Sequence, residues 1–268
     1  MPNLIEQTAE NLSRIRLNKP LVHNITNFVV MNYTANVLLA TGASPVMAHA
    51  INEVEEMVGF AGSLVLNIGT LTDSWVDSMV AAGQKAGSLG TPIILDPVGA
   101  GATRLRTDAA KRILHETNVH VLRGNSSEIL ALAGEGNQTR GVDSANSVDE
   151  AAAVARQLSE ELGTTLAITG PVDLITDGTR VVEVANGHRL MPYVTGTGCS
   201  ATAIIGAFAA VEKDMVVASA GALAFFGLAG EHAARKAEGP GTFMIALLDA
   251  LYNMSPEDLI TGARIQEK

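Results

Sequence analysis

The chain has 268 residues, 47% of them apolar and 17% charged, with 26 glycines and one cysteine. Its formal net charge of -10 leaves no basic footprint for a nucleic-acid backbone, and a single cysteine excludes an intrachain disulfide, in keeping with a reducing, cytoplasmic setting. Length and apolar content suit one α/β domain over residues 1–268, and the low charge suits a surface partly buried between subunits.

The stretch Met1 to Glu6 has no basic region before an apolar run, so no signal peptide is expected. Leu4, Ile5, Ala9, Leu12 and Ile15 recur near helical spacing and predict a helix over 4–17, stopped by Pro20. A strand over 21–25 follows, then a helix over 28–40, capped by Thr26 or Asn27 and ended by Gly42. Residues 44–47 read as extended and 52–60 as helical. From there strands at 64–68, 92–96, 119–122 and 165–169 alternate with helices at 74–86, 108–116, 126–133 and 149–162. Near-continuous apolar strands between helices mean a mostly parallel sheet covered on both faces. The stretch 173–184 reads as a hairpin around Asp177-Gly178, and 135–147 is the most polar loop. Three mostly apolar helices close the chain, ending near Tyr252 ahead of a polar tail. The longest uncharged run, Met215 to Gly230, is short for a membrane span and reads as a buried helix.

In such a sheet, ligands bind beyond the carboxyl ends of the strands. Asn27, Met47, Gly69, Asp96, Arg123 and Thr169 all fall at or just past a strand end. The glycine turn Thr195-Gly196-Thr197-Gly198-Cys199 runs into an apolar helix, whose free N–H groups can meet a phosphate or an oxyanion. Cys199 is either a helix-start thiolate favoured by the dipole or a small packing residue. Asp96 faces a glycine-rich loop and either holds magnesium or caps backbone amides. Arg123 has a fork suited to phosphate oxygens. Asn125 and Glu128 have capping-box spacing, and Glu128 can add an outer-sphere metal role. Thr169-Gly170 either touches nucleotide phosphates or simply turns. The six histidines lack metal-ligand spacing, and Trp75 packs a helix.

Taken together, these residues resemble the hydroxyethylthiazole kinase family of the ribokinase-like fold. The resemblance runs through nearly the whole chain and rests on eight stretches in order: Leu21-Val22-His23-Asn24-Ile25-Thr26-Asn27, Gly42-Ala43-Ser44-Pro45-Val46-Met47, Leu66-Asn67-Ile68-Gly69-Thr70, Asp96-Pro97-Val98-Gly99-Ala100-Gly101-Ala102, Arg123-Gly124-Asn125, Gly141-Val142-Asp143-Ser144, Thr195-Gly196-Thr197-Gly198-Cys199 and Gly239-Pro240-Gly241-Thr242-Phe243. It implies ATP- and magnesium-dependent phosphorylation of the primary hydroxyl of 4-methyl-5-(2-hydroxyethyl)thiazole in thiamine salvage. It puts Met47 and Gly196 at the thiazole alcohol with Asn27 and Gly69 nearby, Arg123 and Thr169 at ATP, and Asp96 and Glu128 at magnesium. It also implies a homotrimer with sites between subunits.

In the wider superfamily an aspartate usually stands where this chain has Cys199, and cysteine there is typical of thiazole kinases. The expected chemistry is direct in-line transfer from ATP, with the hydroxyl near Cys199. Rival readings are a pyrimidine- or pyridoxal-type alcohol kinase, a nucleotide-dependent hydrate dehydratase, and a non-catalytic nucleotide sensor.

Overall fold

A computed structural model of the chain describes residues 3–133 and 148–268. The quoted stretch 141–144 and the polar loop 135–147 lie outside the described residues. In chain order the described elements are α1 (Leu4–Asn18), β1 (Leu21–Ile25), α2 (Met31–Thr41), β2 (Ser44–Val46), α3 (Val54–Val58), β3 (Ser63–Asn67), α4 (Asp73–Leu89), β4 (Ile93–Asp96) and α5 (Arg104–Glu116). They continue with β5 (Val121–Asn125), α6 (Ser126–Leu130), α7 (Val148–Leu162), β6 (Thr165–Thr169), β7 (Asp173–Thr176) and β8 (Val181–Val184). The rest is α8 (Thr197–Ala209), α9 (Met215–Ala234), α10 (Pro240–Asn253), α11 (Pro256–Gly262) and β9 (Ile265–Glu267).

The strands form one sheet in the order β2-β1-β3-β4-β5-β6-β7-β8-β9. Strands β1 to β6 pair in parallel, and β7, β8 and β9 add antiparallel pairs at one edge. This is the mostly parallel α/β sheet expected, with the hairpin at 173–184 in place.

Strand alternation divides the core in two. Val22, Val65, Ile94, Val121 and Ala167 face a layer containing α8 and α9, whereas Leu64, Leu66, Ile93, Leu95, Leu122 and Leu166 face the layer containing α4 and α5. By the same parity Asn67, Asp96, Arg123 and Thr169, at the carboxyl ends of four adjacent strands, belong to the α8 face. Helix α8 lies close on the sheet: a Cβ at Gly206 would stand 2.6 Å from Val65 Cγ2, so only glycine permits that approach. Helix α9 is long and apolar enough to cross a membrane, but 83% of its apolar window is buried, packed on α1, α8 and α10.

Several boundaries differ from expectation. Helix α2 starts at Met31, not residue 28, because Asn27 Oδ1 accepts the N–H of Val29 at 3.1 Å and closes a turn; neither Thr26 nor Asn27 caps it. Helix α5 starts at Arg104, capped by Thr103 Oγ1 accepting from Arg106 N. Helices α3 and α6 are single turns. The polar tail is structured: Ser255 and Asp258 form a capping box for α11, and β9 then pairs with β8.

Candidate active site

At the carboxyl end of the sheet, the register aligns Asn67 of β3 with Asp96 of β4. Asp96 is buried, and its Oδ2 accepts from Asn67 Nδ2 at 2.9 Å and from Thr202 Oγ1 of α8 at 2.8 Å. Arg123 Nη1 lies 3.5 Å from the same oxygen. The other oxygen, Oδ1, is buried with no hydrogen-bond partner. Burial pushes the Asp96 carboxyl above its ordinary range, and Arg123 and the Thr202 bond only partly oppose this.

Arg123 is threaded between two elements. Its Nη2 donates to Thr169 Oγ1 at 2.6 Å, joining the ends of β5 and β6. On its other side lies Gly198 in the first turn of α8, where a Cβ would be 2.8 Å from Nη1. The helix opens on Gly196 at φ 86, a left-handed conformation that glycine adopts without strain. A Cβ there would also meet Val30 Cγ1 at 2.8 Å. In the first turn of α8 the Thr197 N–H donates to Val194 O at 3.4 Å, and the N–H groups of Gly198 and Cys199 have no intrahelical acceptor.

Cys199 sits between these groups. Its Sγ accepts from Asn27 Nδ2 at 3.4 Å, and the same amide donates to Asn67 Oδ1 at 2.8 Å. Of the two alternatives for Cys199, the helix-start thiolate is not favoured. Burial first, and the neighbouring Asp96 second, push the Cys199 thiol up to about 11, so it is neutral near pH 7. Nothing local to the helix start shows the carboxylate that β4 brings near the sulfur.

Two further assignments are refined. Asn125 and Glu128 form the expected capping box, and Glu128 Oε1 also accepts the Gly99 N–H at 2.8 Å. Both Glu128 oxygens thus hold main chain, one pinning the loop after Asp96. Gly69 lies against Asn27, where a Cβ would be 2.7 Å from Nδ2, and Met47 follows β2 beyond β1. Asn27, Met47 and Gly69 thus belong to the β2-β1-β3 half of the sheet and Arg123 and Thr169 to the β5-β6 half, with Asp96 between them.

On the β5-β6 side opens a cavity of 780 Å³. Arg123, Asn125, Thr169, Thr197 and Gly198 line it, together with Asp173, residues 186–189, Met191, Leu223, Phe226 and Gly227. Asp173 Oδ1 accepts the Gly170 N–H at 3.0 Å, and burial pushes this carboxyl up to about 6 against that bond and Arg123. Sequence reasoning missed Asn67, Thr202 and Asp173. Asn67 and Asp173 carry a visible signal, a polar residue bounding an apolar strand; the wall at 186–192 carries none.

No group of three or more His, Cys, Asp or Glu side chains among the described residues is arranged to hold a metal ion. A magnesium ion that shares its coordination with substrate phosphates needs only one or two carboxylates, and the unpartnered Asp96 Oδ1 suits such an ion.

Comparison with known proteins adds four findings. A family model described as the hydroxyethylthiazole kinase family matches residues 12–257. A hydroxyethylthiazole kinase of Desulfotalea psychrophila is 69% identical over 267 residues, covering 100% of this chain and 98% of that protein. The solved structure of a Pyrococcus horikoshii hydroxyethylthiazole kinase superposes with a TM-score of 0.90 at 48% identity, over 97% of this chain and 98% of that one. A ribokinase-like superfamily protein of Enterococcus faecalis, only 14% identical, shares the fold with a TM-score of 0.64 over 90% of this chain and 89% of its own.

Proposed function

The chain belongs to the hydroxyethylthiazole kinase family, a group of thiamine-salvage phosphotransferases, and on that premise we propose that it phosphorylates the primary hydroxyl of 4-methyl-5-(2-hydroxyethyl)thiazole at the Asp96, Arg123 and Cys199 cluster, with ATP in the adjoining cavity. The observation that carries this reading is the meeting of three groups in one place: an α8 N-terminus, a guanidinium between Thr169 and Gly198, and a buried carboxylate with a free oxygen. A cavity of 780 Å³ is of ordinary size for a nucleotide-sized ligand.

In this reading Arg123 and Thr169 hold phosphate oxygens, and the first-turn amides of α8 stabilise charge on the transferred group. Asp96, through its unpartnered Oδ1, would hold magnesium, and Glu128, whose oxygens are occupied with main-chain amides, would assist from further out. The metal neutralises phosphate charge when bound. Met47, Asn27, Gly69 and Gly196 form the thiazole side, from which the hydroxyl approaches Cys199. A neutral thiol holds the hydroxyl without first removing its proton, which passes to a phosphoryl oxygen or to water as the new O–P bond forms and the bond to ADP breaks; phosphoryl transfer through a loose transition state relies on positioning and charge stabilisation more than on a strong base.

The thiazole side carries exposed apolar residues, Phe28 at 63%, Val29 at 65% and Tyr193 at 72% exposure, next to Asn27 and Gly196. They support a homotrimer whose subunits complete each other's sites. One sheet through the described residues supports a single kinase domain, and the lone cysteine a cytoplasmic setting. The test is a panel of vitamin-precursor alcohols with magnesium ATP, following ADP release. Turnover of the thiazole alcohol above pyridoxal and pyrimidine alcohols is expected, and preference for either rival would overturn the assignment.

A further inference from the structure

One wall of the cavity is built by the loop after β8 and by one face of α9. Gly227, Gly230 and Glu231 share that face by their spacing. A Cβ at Gly227 would stand 2.5 Å from Asn186 O, and one at Gly230 would stand 2.8 Å from Met191 Sδ, so the loop rests where α9 has no side chains. One turn beyond Gly227, Glu231 Oε1 accepts the Gly187 N–H at 3.0 Å and Asn186 Nδ2 at 3.2 Å. Arg264, between α11 and β9, closes the arrangement. Its guanidinium donates to Glu231 Oε1 at 2.6 Å, to Oε2 at 3.2 Å and to Ala185 O at 2.6 Å, and its backbone N–H donates to Asn186 Oδ1 at 2.7 Å. Burial raises the Glu231 carboxyl, but Arg264, the Gly187 N–H and Asn186 outweigh it and keep the group charged.

None of these bonds involves Arg123, Thr169 or α8. Arg123 and the α8 start bring positive charge to the cavity, Leu223 and Phe226 of α9 offer it apolar surface suited to a flat base, and His188 and Arg189 continue the wall that Asn186 and Gly187 begin. We propose that Glu231 and Arg264 are positioning residues for the nucleotide base: the C-terminal segment, through this pair, holds Asn186 and Gly187 against α9 and sets the width of the base end of the cavity. The proposal rests on reading the cavity as the nucleotide site.

The test compares Arg264→Ala and Glu231→Ala with the wild type in KM for ATP, KM for the thiazole alcohol, kcat at saturation and inhibition by inorganic tripolyphosphate, which has no base. Arg264 is 51% exposed in its side chain, so its alanine variant is expected to fold. A rise of about 10-fold in KM for ATP is expected, the scale of one or two lost charge-assisted hydrogen bonds, with thiazole KM, kcat and tripolyphosphate inhibition unchanged and partial recovery in Arg264→Lys. An unchanged KM for ATP in both alanine variants, or an equal rise for thiazole and tripolyphosphate, would overturn the proposal. Arg123→Ala separates the two levels. If it weakens ATP and tripolyphosphate while the Glu231 and Arg264 variants bind ATP normally, only the positioning role falls; if it weakens neither, the reading of the cavity falls and takes the proposal with it.

Discussion

Replacing Gly198 by alanine adds one methyl group at the point where α8 touches Arg123. The residue is helical without a positive φ, so the backbone accepts alanine, and helix propensity favours the change by about 1 kcal/mol. The new Cβ would sit 2.8 Å from Nη1, 3.2 Å from Nη2 and 3.4 Å from Cζ. To restore ordinary contact the guanidinium must retreat by roughly 0.6 Å. That retreat strains the 2.6 Å bond to Thr169 and the 3.5 Å approach to Asp96. Because misplacing a reacting group by about 1 Å can cost about 100-fold, a loss of about 10-fold in kcat/KM for ATP is expected, about 1.4 kcal/mol of transition-state stabilisation. Steady-state kinetics with varied ATP, paired with a thermal melt, provides the check. Activity should fall while the melting temperature holds or rises. Wild-type kcat and KM for ATP in Gly198→Ala would refute the claim that the position of Arg123 against α8 matters.

Arg123→Ala is expected to raise KM for ATP by about 10- to 100-fold and leave thiazole binding nearly unchanged, read by separate titrations; a larger loss for the thiazole would refute the assignment. Asp96→Asn should fold yet lose about 100-fold or more in kcat and need more magnesium, since a neutral amide is a poor partner for a hard cation; an unchanged magnesium titration would return Asp96 to a purely structural role. Cys199→Ala should slow turnover by about 10-fold without abolishing it, and Cys199→Asp should stay active with a new ionisation in its pH–rate profile, raised by burial and Asp96; a dead alanine variant would make the thiol essential. Asp173 has its carboxyl pushed from 3.8 up to about 6 by burial, so the folded state holds the proton more tightly and stability falls as pH rises through that window. Asp173→Asn should lack this fall and be more stable above it by up to about 3 kcal/mol; parallel pH–stability curves from denaturant unfolding would contradict the burial argument.

The sheet was legible because its strands are apolar runs bounded by breakers, and Asp96, Arg123 and Thr169 because each is a polar residue ending such a run. The glycine turn before α8 was legible for the same local reason. Asn67 shows only as a polar residue bounding a strand and Thr202 not at all, since their roles depend on the β3-β4 register and on α8 crossing over β4. The wall at 186–192 was hidden because its partners, Gly227, Glu231 and Arg264, lie far along the chain. Asn27 looked like a helix cap because nothing local shows that its oxygen closes a turn while its amide reaches Cys199 and Asn67. The thiolate alternative for Cys199 falls for a related reason: burial, and after it a carboxylate from β4, outweigh the local helix start.

Direct transfer of a phosphoryl group from ATP to the thiazole alcohol is tested most directly by ATP made chiral at its γ-phosphorus, incubated with the protein, magnesium and hydroxyethylthiazole. One in-line displacement at the Asp96, Arg123 and Cys199 cluster predicts a thiazole phosphate whose phosphorus has inverted configuration. Retention would require two displacements and a phosphorylated protein intermediate, with Cys199 the nearest nucleophile. Either retention or the absence of a phosphorylated thiazole would contradict the account.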